Sequence, residues 1–312
     1  MKVGIAGTGA VGGFIGGKLA LSNHEVVFLS RGTNLLRMQE RGLKIRYSGE
    51  EKVIHKEFTH LTDTFDDVDL IILSVKSNDT ITMARQLRKC VSPDTPILLM
   101  QNGVSNEEIA MKYLNQSCLY TAAVYLTARM TEPGIIETSG KPRLTIGSLD
   151  SGNREEAKLL THLFNEAGIQ SKTSSNIMRA KWKKLLWNVT FNPLSAYAGV
   201  TVGQIVDHPK LRETAESALV EGMQIASYKG FIFQNELIHQ IFKGARKADT
   251  HYTSMLQDRL NGKQLEIEAI CGYFLKEATK LGVSIPVIQS LYQNLAALEK
   301  EAPPKNPLHI EN

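Results

Sequence analysis

The sequence predicts an α/β domain built on a parallel sheet, followed by an all-helical domain. Three observations carry that prediction. Short, nearly unbroken apolar runs alternate with helix-like segments through the first half, the pattern of parallel strands covered on both faces. A glycine-rich turn joins the first of those runs to a helix. From Asn176 onward the periodicity is helical, with no convincing strand. At 312 residues, 42% hydrophobic and 22% charged, the chain is long enough for two cores and too apolar for disorder.

Taken in order, Val3–Ala6 reads as a strand and Val11–Leu21 as a helix, with Asn23 tolerating the left-handed conformation at its end. Glu25–Leu29 is a second strand. Leu70–Val75 follows the acidic turn Asp66-Asp67-Val68-Asp69, and Pro96–Met100 is another continuous apolar run. Cys118–Leu126, Gly134–Thr138 and Arg143–Ile146 are further strands. Helix Arg154–Glu166 and strand Ile169–Lys172 close this half. The expected domains are therefore 1–172 and 176–312, with Ser174-Ser175-Asn176 as linker and N-cap. Helices are expected at Ile177–Asn192, Lys210–Lys229, Glu236–Ala248, Thr250–Leu260, Gln264–Leu281 and Pro286–Lys300. Pro193 should bend or stop the first of these, and Pro303-Pro304 opens a frayed tail. A cleft between the two halves is the expected place for a site.

Gly7-Thr8-Gly9-Ala10-Val11-Gly12 is a G-x-G-x-x-G run. It gains meaning from following a strand and opening a helix. Gly7 permits the tight turn, Gly9 lets backbone approach a pyrophosphate, and Gly12 lets helix and strand pack closely, as in a Rossmann-type dinucleotide-binding domain. The helix N-terminus then offers free N–H groups to phosphate. Packing alone is the competing reading, given the extra Gly13, Gly16 and Gly17. The second strand ends Phe28-Leu29-Ser30-Arg31-Gly32, with no acid to hold the ribose 2′-hydroxyl of NAD. Arg31 suits a 2′-phosphate, with Ser30 as a further donor, so NADP (NADPH) is the expected cofactor. A solvated loop cation is the alternative for Arg31.

Two further strand ends carry polar residues. Lys76 follows Leu70–Val75, and Gln101-Asn102-Gly103 follows Pro96–Met100. Either can meet a cofactor or substrate, or be ordinary loop chemistry. In the helical half, Lys184, Asn188 and Asn192 recur every fourth residue within an apolar helix, so they form one stripe that needs partners. A ligand pocket would supply them, and a lysine desolvated there would have a lowered pKa, useful to a proton donor. Snorkelling of Lys184 and backbone bonds from the two Asn are the alternative. Ser254 and Asp258 share a face, and Glu266 opens the next helix, where an acid also suits the helix dipole.

Other chemistries are not expected. Cys90, Cys118 and Cys271 are too few and scattered for a disulfide scaffold or a zinc site, and their odd number fits a reducing compartment. The His residues stand apart. No metal, nucleic-acid or membrane partner is expected: the net charge is only +4 without a basic block, and no targeting segment or spanning apolar run is visible. A cytoplasmic location follows.

Over nearly its whole length the chain resembles the ketopantoate reductase (2-dehydropantoate 2-reductase) family, of the 6-phosphogluconate dehydrogenase-like group. The resemblance rests on Gly7 to Gly12, Arg31, Val75-Lys76, Gln101-Asn102-Gly103-Val104, Trp182-Lys183-Lys184-Leu185 with Asn188 and Asn192-Pro193-Leu194, and Ser254 to Asp258 followed by Glu266-Ile267. It implies an NADPH-dependent reductase of a small 2-oxo acid, ketopantoate, serving pantothenate synthesis. It implies that Gly7, Thr8, Gly9, Ala10, Val11, Gly12, Arg31, Lys76, Asn102, Ala128 and Glu266 touch the cofactor. Lys184 is implied as general acid, and Asn188, Asn192 and Ser254 as substrate ligands. The chain departs from the family at Val202, where pantoate-forming members often carry an Asn that meets the substrate. Another branched 2-oxo acid and a non-catalytic NADP-binding sensor are the alternatives. The oligomeric state, a homodimer among the options, is left open.

Overall fold

The computed structural model describes residues 1–150 and 154–300, and the chain divides into two units, Met1–Lys181 and Trp182–Asn312. In the first unit the order is β1 (Lys2–Ala6), α1 (Ala10–Leu21), β2 (Glu25–Leu29), α2 (Gly32–Arg41), β3 (Leu43–Tyr47), β4 (Glu50–Ile54) and β5 (Glu57–Thr59). Then come β6 (Leu70–Leu73), α3 (Thr80–Cys90), β7 (Ile97–Leu99), α4 (Ser105–Tyr113), β8 (Leu119–Glu132), β9 (Ile135–Ser148), α5 (Arg154–Glu166), β10 (Gln170–Thr173) and the start of α6 (Ile177–Ala198).

The strands form one ten-stranded sheet in the order β4-β3-β9-β8-β7-β6-β1-β2-β5, with β10 on β9. From β5 to β8 every neighbouring pair is parallel. Side chains alternate across the sheet, so Val3 and Ile5 enter one apolar cluster with Phe14 and Phe164, while Ala6, Leu73 and Leu99 enter another with Ala84 and Ala110. This is the doubly covered sheet expected from unbroken apolar runs. Helix α1 lies close against it: a Cβ at Gly16 would come within 2.6 Å of Phe28, and one at Gly17 within 2.2 Å of Ile45. Those glycines serve packing, while the turn before them is a separate matter.

Several expectations are adjusted. Gly134–Thr138 and Arg143–Ile146 are one strand, β9, which pairs β3 through its first part and β10 through its second. Strand β6 ends at Leu73, which leaves Ser74 to Lys76 as a loop. The elements between Gly32 and Thr59, and helices α3 and α4, were not delimited by the apolar pattern, because they are short, polar or half-exposed. Asn176 caps α6, its Oδ1 accepting from the Arg179 N–H at 3.0 Å. That helix continues through Pro193 to Ala198. The missing proline N–H leaves the Val189 carbonyl without its helical donor but does not end the helix.

The second unit continues α6 and adds α7 (Val202–Asp207), α8 (Pro209–Tyr228), α9 (Glu236–Arg246), α10 (Ser254–Leu260), α11 (Tyr273–Leu281) and α12 (Pro286–Lys300). Trp182, fully buried, stacks on Phe231 at 5.5 Å and meets Tyr273 and Phe274 edge-on. Helix α7 starts in a capping box at Thr201 and Gln204. Helix α10 starts at Ser254 and not at Thr250, because Thr253 caps it, its Oγ1 accepting from the Leu256 N–H at 3.2 Å. The expected Gln264–Leu281 helix begins later and opens with a π-helical turn, Glu268–Gly272. The tail from residue 301, with Pro303-Pro304, lies outside the described residues. No helix among the described residues is long and apolar enough to cross a membrane.

Candidate functional site

Strands β2, β1, β6 and β7 end together: Ala6 pairs with Leu29 and with Leu73, and Leu73 pairs with Leu99. The residues just beyond those ends are Gly7, Ser30-Arg31, Ser74 to Lys76, and Gln101-Asn102. The carboxyl edge of such a sheet, at the strand from which connections depart to both sides, is where ligands bind.

The glycine turn fits a dinucleotide on three counts. Gly7 has φ +109° and is overlain by the β6 loop: a Cβ there would sit 2.6 Å from the Val75 nitrogen. At Gly12 a Cβ would sit 2.2 Å from both the Gly7 carbonyl and Ser74 Oγ. At Gly9, by contrast, it would meet nothing within 4 Å. The first and third glycines are therefore required by the fold, while the second faces open space from which a ligand can reach backbone. Helix α1 above it has no side-chain cap and no acid in its first turn, so its N–H groups and positive dipole end are left for an anion.

Neighbouring side chains hold this turn. Thr8, buried, donates both its N–H and its hydroxyl to the Leu29 carbonyl at 2.9 Å. Ser74 Oγ donates to the Gly7 carbonyl at 2.8 Å. Asn34 Nδ2 donates to the Thr8 carbonyl at 2.9 Å and to Ser30 Oγ at 3.0 Å, while its Oδ1 accepts from the Gly134 N–H. Arg31 is exposed and pairs with Asp79 at 2.5 Å. Lys76, exposed, and Asn102, half-buried, stand at their strand ends. Ala128 lies further along β8, past the register shift between Tyr125 and Thr127 and opposite Thr138, so it belongs to the β8–β9 hairpin and not to the four strand ends.

Beneath the β6 and β7 loops runs a buried polar network that sequence reasoning missed. Gln101 Nε2 donates to Thr80 Oγ1 at 2.6 Å, and Thr80 donates to Asn106 Oδ1 at 2.8 Å. Asn106 Nδ2 donates to the Asn102 carbonyl at 2.7 Å and to Ser77 Oγ at 3.3 Å. Lys181, 3% exposed, donates to the Gln101 carbonyl and to Thr121 Oγ1, each at 3.1 Å, and forms a short ion pair with Glu107, 1% exposed. Thr121 in turn donates to Glu107 Oε1 at 2.6 Å. No local signal marks Glu107 or Lys181: each looks like one more charge on a helix until the fold buries it.

In the second unit, α6 carries the polar stripe. Lys184 is half-buried, while Asn188 and Asn192 are 7% and 4% exposed. Eight residues of α-helix separate the first from the last, about 12 Å. Neither Asn side chain bonds to protein among the described residues, and neither has a fully buried unpaired atom, so their amide ends remain reachable. Arg259 of α10 donates to the Ala196 and Tyr197 carbonyls at 2.5 and 3.1 Å, fixing α10 against the end of α6. Ser254 at the start of α10 is exposed and Glu266 half-buried. Val202 is fully buried in the first turn of α7, its N–H bonded to the His251 carbonyl at 3.1 Å. No group of three or more metal-ligating side chains occurs among the described residues.

A Rossmann-type unit with an open glycine turn, followed by a helical unit with a polar stripe, defines a nicotinamide-dinucleotide-dependent oxidoreductase. The family models "Ketopantoate reductase PanE/ApbA" and "Ketopantoate reductase PanE/ApbA C terminal" match residues 3–151 and 176–299. The chain belongs to the ketopantoate reductase family. It is 31% identical over 299 residues to the 2-dehydropantoate 2-reductase of Pyrococcus horikoshii, covering 96% of this chain and 98% of that one. A PanE/ApbA family ketopantoate reductase from Ralstonia eutropha superposes with TM-score 0.89 at 26% identity, covering 97% and 99% of the two chains. A D-mandelate dehydrogenase solved with NADH and anilino(oxo)acetate also gives 0.89, at 25% identity and 96% and 99% coverage.

Proposed function

We propose that the chain reduces ketopantoate (2-dehydropantoate) to pantoate with NADPH, in pantothenate biosynthesis. The observation that carries this reading is the α6 stripe: two Asn amides, largely buried yet without protein partners among the described residues, in line with Lys184. Amide ends that are reachable and have bonding capacity to spare, set in an otherwise apolar helix, are groups a polar ligand can engage. The domain reading gives 1–172 the cofactor and 176–312 the substrate. Cys90, Cys118 and Cys271 are in no disulfide among the described residues, which fits a cytoplasmic setting.

When bound, the nicotinamide ring supplies a hydride to the keto carbon. The chain does the rest. Gly7 to Gly12 and the α1 N-terminus hold the pyrophosphate, and Arg31 with Ser30 holds the 2′-phosphate. Lys76, Asn102, Ala128 and Glu266 complete the cofactor contacts. Lys184 Nζ hydrogen-bonds the keto oxygen and gives it a proton as negative charge develops there. Asn188, Asn192 and Ser254 orient the carboxylate and the distal hydroxyl.

The test is NADPH oxidation by wild type and Lys184→Ala with ketopantoate beside a panel of 2-oxo acids. Loss of about 10²–10⁴ in kcat with NADPH affinity retained is the expected result. Unchanged turnover of Lys184→Ala would remove the general acid. A better substrate elsewhere in the panel would move the assignment to that acid, with Val202 the first residue to revisit.

A further inference from the structure

Asp is among the residues best suited to cap its own helix. Asp79 stands at the N-cap of α3, yet its carboxylate makes no capping bond. It accepts instead from Arg31 Nη2 at 2.5 Å. Arg31 follows β2, Asp79 follows the turn after β6, and β1 lies between those strands. The pair therefore bridges the carboxyl end of β1, where the glycine turn begins.

The two partners are not equally held in place. The Asp79 N–H donates to the Lys76 carbonyl at 2.9 Å. The next residue, Thr80, is fully buried and tied to Gln101 and Asn106. Arg31 has an 81% exposed side chain against 38% for Asp79. The carboxylate is the anchored member and the guanidinium the adaptable one.

We propose that Asp79 sets the balance between the two nicotinamide cofactors by opposing Arg31. The proposal rests on the reading of Arg31 as the 2′-phosphate ligand. A 2′-phosphate carries about −1.5 to −2 charge near neutral pH. To reach Arg31 it must displace a carboxylate already seated there and then tolerate that carboxylate as a neighbour. A ribose 2′-hydroxyl meets no such repulsion and finds in Asp79 an acceptor. The acid missing from the end of the second strand is thus delivered from the loop after β6. The site carries both signs, and its preference for NADPH is smaller than Arg31 alone would impose.

Calorimetric titration with adenosine 2′,5′-bisphosphate and adenosine 5′-monophosphate reads this without turnover, since the two probes differ by the 2′-phosphate. Exposed ion pairs of this kind set the scale, so Asp79→Asn should tighten the bisphosphate about two- to fivefold and leave the monophosphate unchanged or weaker. NADPH and NADH should follow the same pattern. Asp79→Ser should match it, because removal of charge is the common change. In an Arg31→Ala background the gain should shrink, since only direct repulsion remains to be relieved. If both Asp79 variants bind the bisphosphate no better than wild type, while Arg31→Ala still loses it selectively, the proposal is overturned and Asp79 merely orients Arg31. If Arg31→Ala loses both probes alike, the 2′-phosphate reading itself fails.

Discussion

Replacing Lys181 by Met leaves the Glu107 carboxylate buried at 1% exposure with no counter-charge. The thioether fills similar space but supplies no donor, so the Gln101 carbonyl and Thr121 Oγ1 each lose a bond as well. Among the described residues only the Thr121 hydroxyl still donates to Glu107 Oε1, and Oε2 already has no partner. Breaking a buried pair from one side costs about 3–5 kcal/mol. For a unit of this size that corresponds to a fall of order 10 °C in its melting midpoint. Lys181→Met/Glu107→Gln, which removes both charges, should recover most of the loss. Urea and thermal melts of the three proteins measure all of this. A single-variant cost below about 1 kcal/mol, or a double variant no more stable than the single, would refute the buried-pair argument.

The glycine turn makes a paired prediction. Gly9→Ala should keep wild-type stability, because its Cβ meets nothing, but weaken NADPH at least tenfold by blocking close backbone approach; Gly12→Ala should lower stability itself, with a Cβ 2.2 Å from backbone and Ser74. Melting curves beside cofactor titrations separate the two, and equal melting of both variants would contradict it. Glu277 gives a pH prediction. Burial alone would push its carboxyl up, but hydrogen bonds from Lys280 and Lys229 and their charges together hold it below the usual carboxylate range. Its stabilisation is therefore present above the ordinary carboxylate pKa and is lost as pH falls through the lowered one. Glu277→Gln should be less stable than wild type at pH 7, and the gap should narrow in acid, as pH falls below the ordinary carboxylate range and through the lowered pKa. A gap that persists in acid would sink this assignment.

Much of the fold was legible because burial on both faces writes itself as unbroken apolar runs: β1, β2 and β7 were located within a residue or so, and α5 and α12 to the residue. The glycine turn was legible because its spacing answers to backbone geometry. Strands β3 and β4 were not, since β3 alternates apolar and charged residues over only five positions, with Lys44 and Arg46 paired to Glu51, and β4 is mostly exposed at the sheet edge, so neither forms an unbroken apolar run. Helix α6 outran its expected end because neighbouring packing outweighs the one bond that Pro193 removes. In the candidate site, residues at strand ends were readable by position. Asp79, Asn106, Glu107 and Lys181 were not, because each acts on a partner far away in the chain, and no local pattern encodes such a meeting.

The Lys181–Glu107 contact also dictates where the first unit can be cut free. A fragment stopped at residue 172, before the Ser174–Asn176 linker, would lack Ile177, which fills the space over Gly147, and the ammonium that neutralises Glu107. During synthesis the same half must wait for the first turns of α6 to leave the ribosome before its last buried charge is matched. An autonomous first unit of this chain has to retain Lys181.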